Sequence, residues 1–283
     1  MCTTFWTTTP GHGYSLVVCF NRDEYFARPT LGFHHWDNTS IHAPLDQQPV
    51  VPTHRGSWLG LSTCGRLAML TNFREPHFHQ DKMISRGALV RDFLLSRAHT
   101  PGRNTPAQSA QQYAEAVHEE REMYDGFNFV AFDMDAKKSR AFYVSNRGAQ
   151  EGAREVVGLQ GLSNSTIDEP WPKVVRGKQT VADVLANEAE TLDADALAYR
   201  LMDVMRDAET AEAQPQRIDD LKRCIFVPPV DGLGGDIAPG AYGTRSTTVV
   251  LLRDGHLTVG ERTFGANGET PDTRLFHMKL DPR

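Results

Sequence analysis

The chain has 283 residues, 40% hydrophobic and 23% charged, with a formal net charge of -6. That composition suits a packed globular core and lacks the basic field a nucleic-acid partner requires. No apolar run approaches the roughly eighteen residues that span a bilayer, and no basic-then-apolar leader opens the chain, so a soluble, cytoplasmic protein without a transmembrane segment is predicted.

In chain order, "CTTFWTT" (2–8) and "YSLVVCF" (14–20) are β-prone runs separated by "TPGHG", whose Pro and Gly residues are turn chemistry, and a hairpin is predicted. Asn21-Arg22-Asp23-Glu24 follows without a break, which places these polar groups at the end of the second strand. "SWLGLST" (57–63) and "RLAMLTN" (66–72) form a second hairpin around Cys64-Gly65. Leu89, Val90, Phe93 and Leu94 mark a helix over about 86–97, and Ala107, Ala110, Ala114 and Val117 a weaker one after Thr105-Pro106. "FNFVAFDM" and "RAFYVSN" make a third hairpin. Trp171, Val174, Val175, Val181, Val184 and Leu185 outline a third helix opened by "DEPWP", since Pro is tolerated in a first turn. Leu197, Leu201, Val204 and Met205 outline a fourth. The segment 208–243 grows rich in Pro and Gly and reads as a surface excursion. "RSTTVVLL", "HLTVGERT" and "TRLFHMKL" close the chain as strands, with a turn at Asp254-Gly255. Strand blocks alternating with helix pairs predict α+β layering in a single domain over 1–283, its first and last strands sharing a sheet.

Cys2, Cys19, Cys64 and Cys224 are too widely spaced for a disulfide framework and form no Cys-x-x-Cys pair, so they read as reduced thiols. His34-His35 and His77-x-His79 lack a completing ligand set, and no metal is predicted. "GLGGD" (232–236) lacks the glycine order of a phosphate cradle.

Cys2 carries the chemistry. Removal of Met1 leaves a thiol and an α-amine on one residue, and an α-amine with a reference pKa of about 7.7–8.0 is a built-in base near neutral pH. Thiolate is the nucleophilic form, and a nearby cation favours it; Arg22 is the candidate. Period-two alternation puts Arg22 and Glu24 on one face and Asp23 on the other, and leaves open which faces Cys2.

Cys2, Asn21-Arg22-Asp23-Glu24, Arg28-Pro29, Gly56-x-Trp58-Leu59-Gly60, Leu70-Thr71-Asn72, Arg86-Gly87, Tyr124-x-Gly126-Phe127-Asn128, Gly161-Leu162-Ser163-Asn164, Pro170-Trp171 and Tyr242-Gly243-Thr244-Arg245 together resemble the NRDE family, also called the transport and Golgi organisation protein 2 family. The resemblance implies a four-layer αββα sandwich of N-terminal nucleophile hydrolase type, with the N-terminal strand central and its first residue at the sheet's mouth. It is similar in motif order to the cysteine hydrolases of bile salts and penicillin V, which implies a catalytic set of Cys2, Arg22, Asp23, Asn72, Asn164 and Arg245. In that set the Asn72 backbone amide and the Asn164 carboxamide serve an oxyanion, and Arg245 adds positive charge. Here Arg22 and Asp23 are contiguous, whereas those hydrolases separate them. Two functions follow as expectations. The first is a cofactor-free N-terminal cysteine hydrolase or acyltransferase, working on a small-molecule amide or related acyl bond through a Cys2 thioester. The second is a non-catalytic haem or lipid/acyl-CoA binding and trafficking protein, with haem as cargo and Cys2 as an iron ligand or without a chemical role. The family also implies Golgi or mitochondrial association.

Overall fold

Chain reversal at Gly11, His12 and Gly13, with φ of 81°, 52° and 79°, closes the first hairpin between β1 (Cys2–Thr7) and β2 (Tyr14–Tyr25). The computed structural model describes residues 1–49, 51, 54–75, 84–95, 109–149, 151–207, 215–233, 240–266 and 271–282. β2 is longer than its apolar run. It continues through Asn21-Arg22-Asp23-Glu24 because β11 (Tyr242–Arg253) pairs with it as far as Tyr25. These polar residues therefore lie within the sheet instead of emerging beyond it, and Asn21, Arg22 and Asp23 are buried.

The second and third predicted hairpins are β5 (Leu59–Ser62) with β6 (Arg66–Asn72), and β7 (Phe127–Asp133) with β8 (Arg140–Ser145). β12 (His256–Thr263) and β13 (Asp272–Lys279) follow β11, and Asp254 and Gly255 both take positive φ at the first turn. Four strands carry no clear alternation in sequence: β3 (Thr30–His35), β4 (Ile41–Asp46), β9 (Arg154–Glu155) and β10 (Gln160–Leu162). One sheet runs β10-β1-β2-β11-β12-β13 and the other runs β3 through β9 in chain order. The first and last strands share a sheet as expected. β1 is internal but not central, with the three-residue β10 covering its outer edge.

The layers follow from side-chain alternation. Trp6, Val18 and Phe20 meet Leu59, Leu67, Met69 and Phe132 between the sheets. On the opposite face of the first sheet, Phe5, Val17 and Cys19 meet α3 (Pro172–Asn187) and α4 (Ala194–Arg206). On the far side of the second sheet, Leu70, Phe129 and Val144 meet α1 (Gly87–Leu94) and α2 (Ala110–Glu119). The result is the αββα order that the resemblance implied, in an α+β chain. Ser109 and Gln112 cap α2 reciprocally, Asp193 caps α4, and Pro172 opens α3. The start predicted for the second helix, Thr105-Pro106-Ala107, lies outside the described residues. No helix among the described residues is long and apolar enough to cross a membrane.

α3 seats directly on β1 at Gly177, where a Cβ would lie 2.2 Å from the Phe5 ring. Alanine there gains about 1 kcal/mol in helix propensity, while overpacking a rigid ring costs about 1–3 kcal/mol. Gly177→Ala is expected to lower stability by up to ~2 kcal/mol, read as a lower urea midpoint at constant m-value. An unchanged midpoint would mean that this contact has slack.

Candidate active site

Cys2 and Arg22 are directly opposite in the β1–β2 ladder, so their side chains share a face. That face looks between the sheets, where Cys2 packs at the rim of the inter-sheet core. The alternation expected along β2 holds: Arg22 approaches Glu24 at 4.0 Å, and Asp23 turns to the helix side. The Arg22 guanidinium lies 4.0 Å from the centroid of the Trp58 ring. Burial pushes its pKa down to about 10 against the opposing charges of Glu24 and Cys2, which leaves it a cation at neutral pH.

The Cys2 side chain is half-buried on a cavity of about 130 Å³, whose walls include Arg22, Glu24, Trp58, Asn72 and Arg86. Burial pushes the Cys2 thiol up from its ordinary value; the N-terminal ammonium and Arg22 pull it down, and Asp23 adds to the rise. Asn164, just beyond β10, ties two strands at this point. Its Oδ1 accepts from the Cys2 N–H at 3.2 Å and its Nδ2 donates to the Asn72 carbonyl at 2.5 Å. The Ser163 hydroxyl donates to the Cys2 carbonyl at 2.6 Å. Asn72 closes β6. Leu70 N–H donates to the Trp58 carbonyl at 2.8 Å, so the ladder's alternation turns the Asn72 N–H to the same side, beyond Leu59 where β5 begins.

The Asn164 segment is held by a residue whose role the sequence reading missed. Asn128 of β7 is fully buried; its Nδ2 donates to Thr71 Oγ1 at 3.1 Å and to the Ser165 carbonyl at 3.0 Å, and its Oδ1 accepts from the Tyr143 hydroxyl at 2.8 Å. Thr71 in turn donates to the Ser163 carbonyl at 2.5 Å. The available signal was an Asn inside the apolar run "FNFVAF".

Behind Cys2, on the helix side, Asp23 Oδ1 accepts from the Thr244 hydroxyl at 2.7 Å, and among the described residues Oδ2 has no hydrogen-bond partner. Lys173 of α3 is fully buried, and among the described residues its Nζ also lacks a hydrogen-bond partner. Burial pushes the Asp23 carboxyl up and the Lys173 amine down; each is the other's leading counter-charge. The Met1 ammonium donates to the Asp23 carbonyl at 2.6 Å and to the Tyr242 hydroxyl. Met1 packs with Leu221, Cys224, Val227 and Tyr242 while also lining the Cys2 cavity.

Arg245 stands outside the lining, close enough for its charge to act on Arg22. It is the bulged residue of β11, and its Nη1 donates to the Tyr25 carbonyl at 3.3 Å and to the Arg28 carbonyl, which holds the turn after β2. Of the six residues predicted from sequence, Cys2, Arg22, Asp23 and Asn72 line the cavity, and Asn164 joins them through Cys2 and Asn72. Arg245 is not part of that lining. His34 and His35 lie on β3, whereas His77, His79 and Gly234 to Asp236 fall outside the described residues.

The transport and Golgi organisation 2 family model matches residues 1–266. The transport and Golgi organization protein 2 homolog of Bos taurus is 33% identical over 99% of this chain and 99% of its own length. The Homo sapiens homolog is 32% identical over 93% of each chain. Among solved structures, a mutant conjugated bile acid hydrolase from Clostridium perfringens aligns with TM-score 0.49 and 10% identity, covering 99% of this chain and 97% of that one.

Removing one member of a buried charge pair strands the other, typically at about 3–5 kcal/mol. Lys173→Met is expected to lose stability on that scale, and Lys173→Met with Asp23→Asn to recover most of it. With Lys173 gone, the raised Asp23 pKa makes the folded chain hold a proton that the unfolded chain releases near about pH 3.9, so stability falls as pH rises from there through the folded-state pKa. Urea titrations of both variants across pH check this, and purely additive losses would show that the two charges do not interact.

Proposed function

The chain belongs to the transport and Golgi organisation 2 family, and on that premise we propose that it is an N-terminal cysteine hydrolase or acyltransferase acting on an amide or related acyl bond. The observation that carries this reading is the placement of Cys2: it opens a strand, its backbone nitrogen is held by Asn164, and its side chain meets a cavity opposite the Arg22 cation.

Removal of Met1 serves the chemistry twice. It transfers the α-amine to Cys2, and it clears a residue that lines the same cavity. The amine then takes the thiol proton, Arg22 favours the thiolate, and sulfur attacks the acyl carbonyl. The tetrahedral adduct collapses as the amine returns its proton to the departing nitrogen, leaving a Cys2 thioester. Water, deprotonated by the same amine, breaks the thioester to a carboxylic acid and restores the thiol; an amine acceptor in place of water gives acyl transfer. The Asn72 N–H and the second N–H of Asn164 Nδ2 are the oxyanion donors, and loss of one such donor typically costs about 10²–10³ in kcat. Carriage of haem or acyl-CoA at this site receives less support, because the cavity of about 130 Å³ is walled largely by arginine, acidic and amide side chains, whereas sites for drug-sized ligands run to about 300–1,000 Å³.

Intact mass of the purified protein is expected to lack Met1, and an acyl electrophile to label Cys2 but leave Cys2→Ala unlabelled. Asn164→Ala should keep Met1 removal and slow acylation by about 10²–10³. Labelling confined to the exposed Cys64 would overturn the proposal.

A further inference from the structure

Arg86-Gly87 has no part in the chemistry at Cys2, yet it forms a wall of the same cavity. Its position is set by two backbones in contact. Ser57 N–H donates to the Gly87 carbonyl at 3.2 Å, and a Cβ on Gly56 would lie 2.3 Å from the Gly87 carbonyl. Glycine at 56 is what lets the lead-in to β5 lock onto the start of α1, and this lock carries Arg86 to the cavity. Among the described residues the guanidinium is anchored at one point, Nη1 donating to the Gly126 carbonyl at 2.9 Å. A guanidinium has five N–H donors, so most of this fork is uncommitted.

The other cations of the cavity are engaged. Arg28 grips Asp46 through two bonds of 3.2 and 2.6 Å and lies 3.8 Å from Glu24. Arg22 is stacked on Trp58 and faces Glu24. Among the described residues no carboxylate forms an ion pair with Arg86. Asp125, Glu75 and Glu24 influence it from beyond pairing distance; Glu75 is bound to Arg147 at 2.5 Å, and Glu24 lies between Arg22 and Arg28. A partly desolvated cation without a counter-ion on a cavity wall favours an anionic ligand, and the planar fork matches a carboxylate at two points. One uncommitted guanidinium balances one negative charge, whereas a phosphate dianion would leave excess charge beside Glu24 and Asp46.

We propose that Arg86 binds a carboxylate carried by the substrate of Cys2, so that the substrate class is a short acyl amide or thioester bearing a carboxylate. This rests on the nucleophile reading above. Arg86 is a binding and specificity residue, and Gly56 and Gly87 position it.

The test compares succinyl and butyryl thioesters of N-acetylcysteamine, with acylation of Cys2 followed by intact mass in wild type, Arg86→Gln and Arg86→Lys. The succinyl-to-butyryl rate ratio is expected to fall about 10-fold or more in Arg86→Gln and less in Arg86→Lys. A ratio that Arg86→Gln leaves unchanged overturns the proposal while the nucleophile reading stands. If Arg86→Gln fails to fold, competition on the wild type decides: monomethyl succinate, a monoanion, should slow butyryl transfer and neutral dimethyl succinate should not, and equal effects overturn the proposal. If neither thioester acylates Cys2, the nucleophile reading falls and calorimetry with monomethyl succinate decides Arg86: saturable binding weakened more by Arg86→Gln than by Arg86→Lys supports it, and no binding to the wild type, or binding that both variants leave unchanged, overturns it.

Discussion

The cavity depends on β2 remaining a paired strand through four consecutive polar residues, Asn21 to Glu24. A strand can bury such a run only if both edges are hydrogen-bonded and every side chain finds a partner in the layer it faces. β1 pairs with it through Arg22, and β11 pairs with it from the other side through Tyr25. Asn21 gives its two amide hydrogens to the Met205 and Ile225 carbonyls at 2.8 and 3.0 Å and accepts from the Thr247 hydroxyl at 2.6 Å, which ties the end of α4 to the sheet. Arg22 goes to the cavity, Asp23 to Thr244, and Glu24 lies between Arg22 and Arg28 at 4.0 and 3.8 Å. Asn21 and Asp23 thus serve the helix side of the sheet, and Arg22 and Glu24 the cavity side.

How much of this was legible in the sequence follows from how local each signal is. Hairpins with Gly-rich turns and apolar alternation, such as Cys2–Thr7 with Tyr14–Tyr25, declare themselves because turn and period lie within one window. The division of Arg22 from Asp23 was legible for the same reason. β3 and β4 were not: Gly32, His34, His35, His42 and Pro44 dilute their apolar pattern, the register between them shifts after Leu31, and β4 joins β5 only at Ile41 and His42. β10 is held by β1 across more than 150 residues of chain.

The site shows the same division. Cys2, Arg22, Asn72 and Asn164 could be proposed because motif order carries them. Arg245 shares that motif order, but the bulge after Thr244 re-aims it to the turn carbonyls, and a one-residue bulge leaves no trace in composition. Lys173 is not among the apolar positions that outline its helix in sequence. Its burial arises because α3 approaches close enough for Gly177 to sit on Phe5, a distance no helical period encodes.

The orientation of the Asn164 carboxamide links these features to the proposed chemistry. A backbone carbonyl can only accept, so the Asn72 oxygen at 2.5 Å requires the Nδ2 end, and Oδ1 is thereby turned to the Cys2 nitrogen. The flip is fixed by donor and acceptor logic, and Asn128 holds the segment from below through the Ser165 carbonyl. An amine at Cys2 keeps a hydrogen for that same Oδ1, which restricts its rotation and so the direction of its lone pair. With Met1 in place the ammonium is instead bound to the Asp23 carbonyl and the Tyr242 hydroxyl. Loss of one residue therefore moves the base from those partners onto the nitrogen of Cys2 itself, into a hydrogen-bond frame that the folded chain has already built.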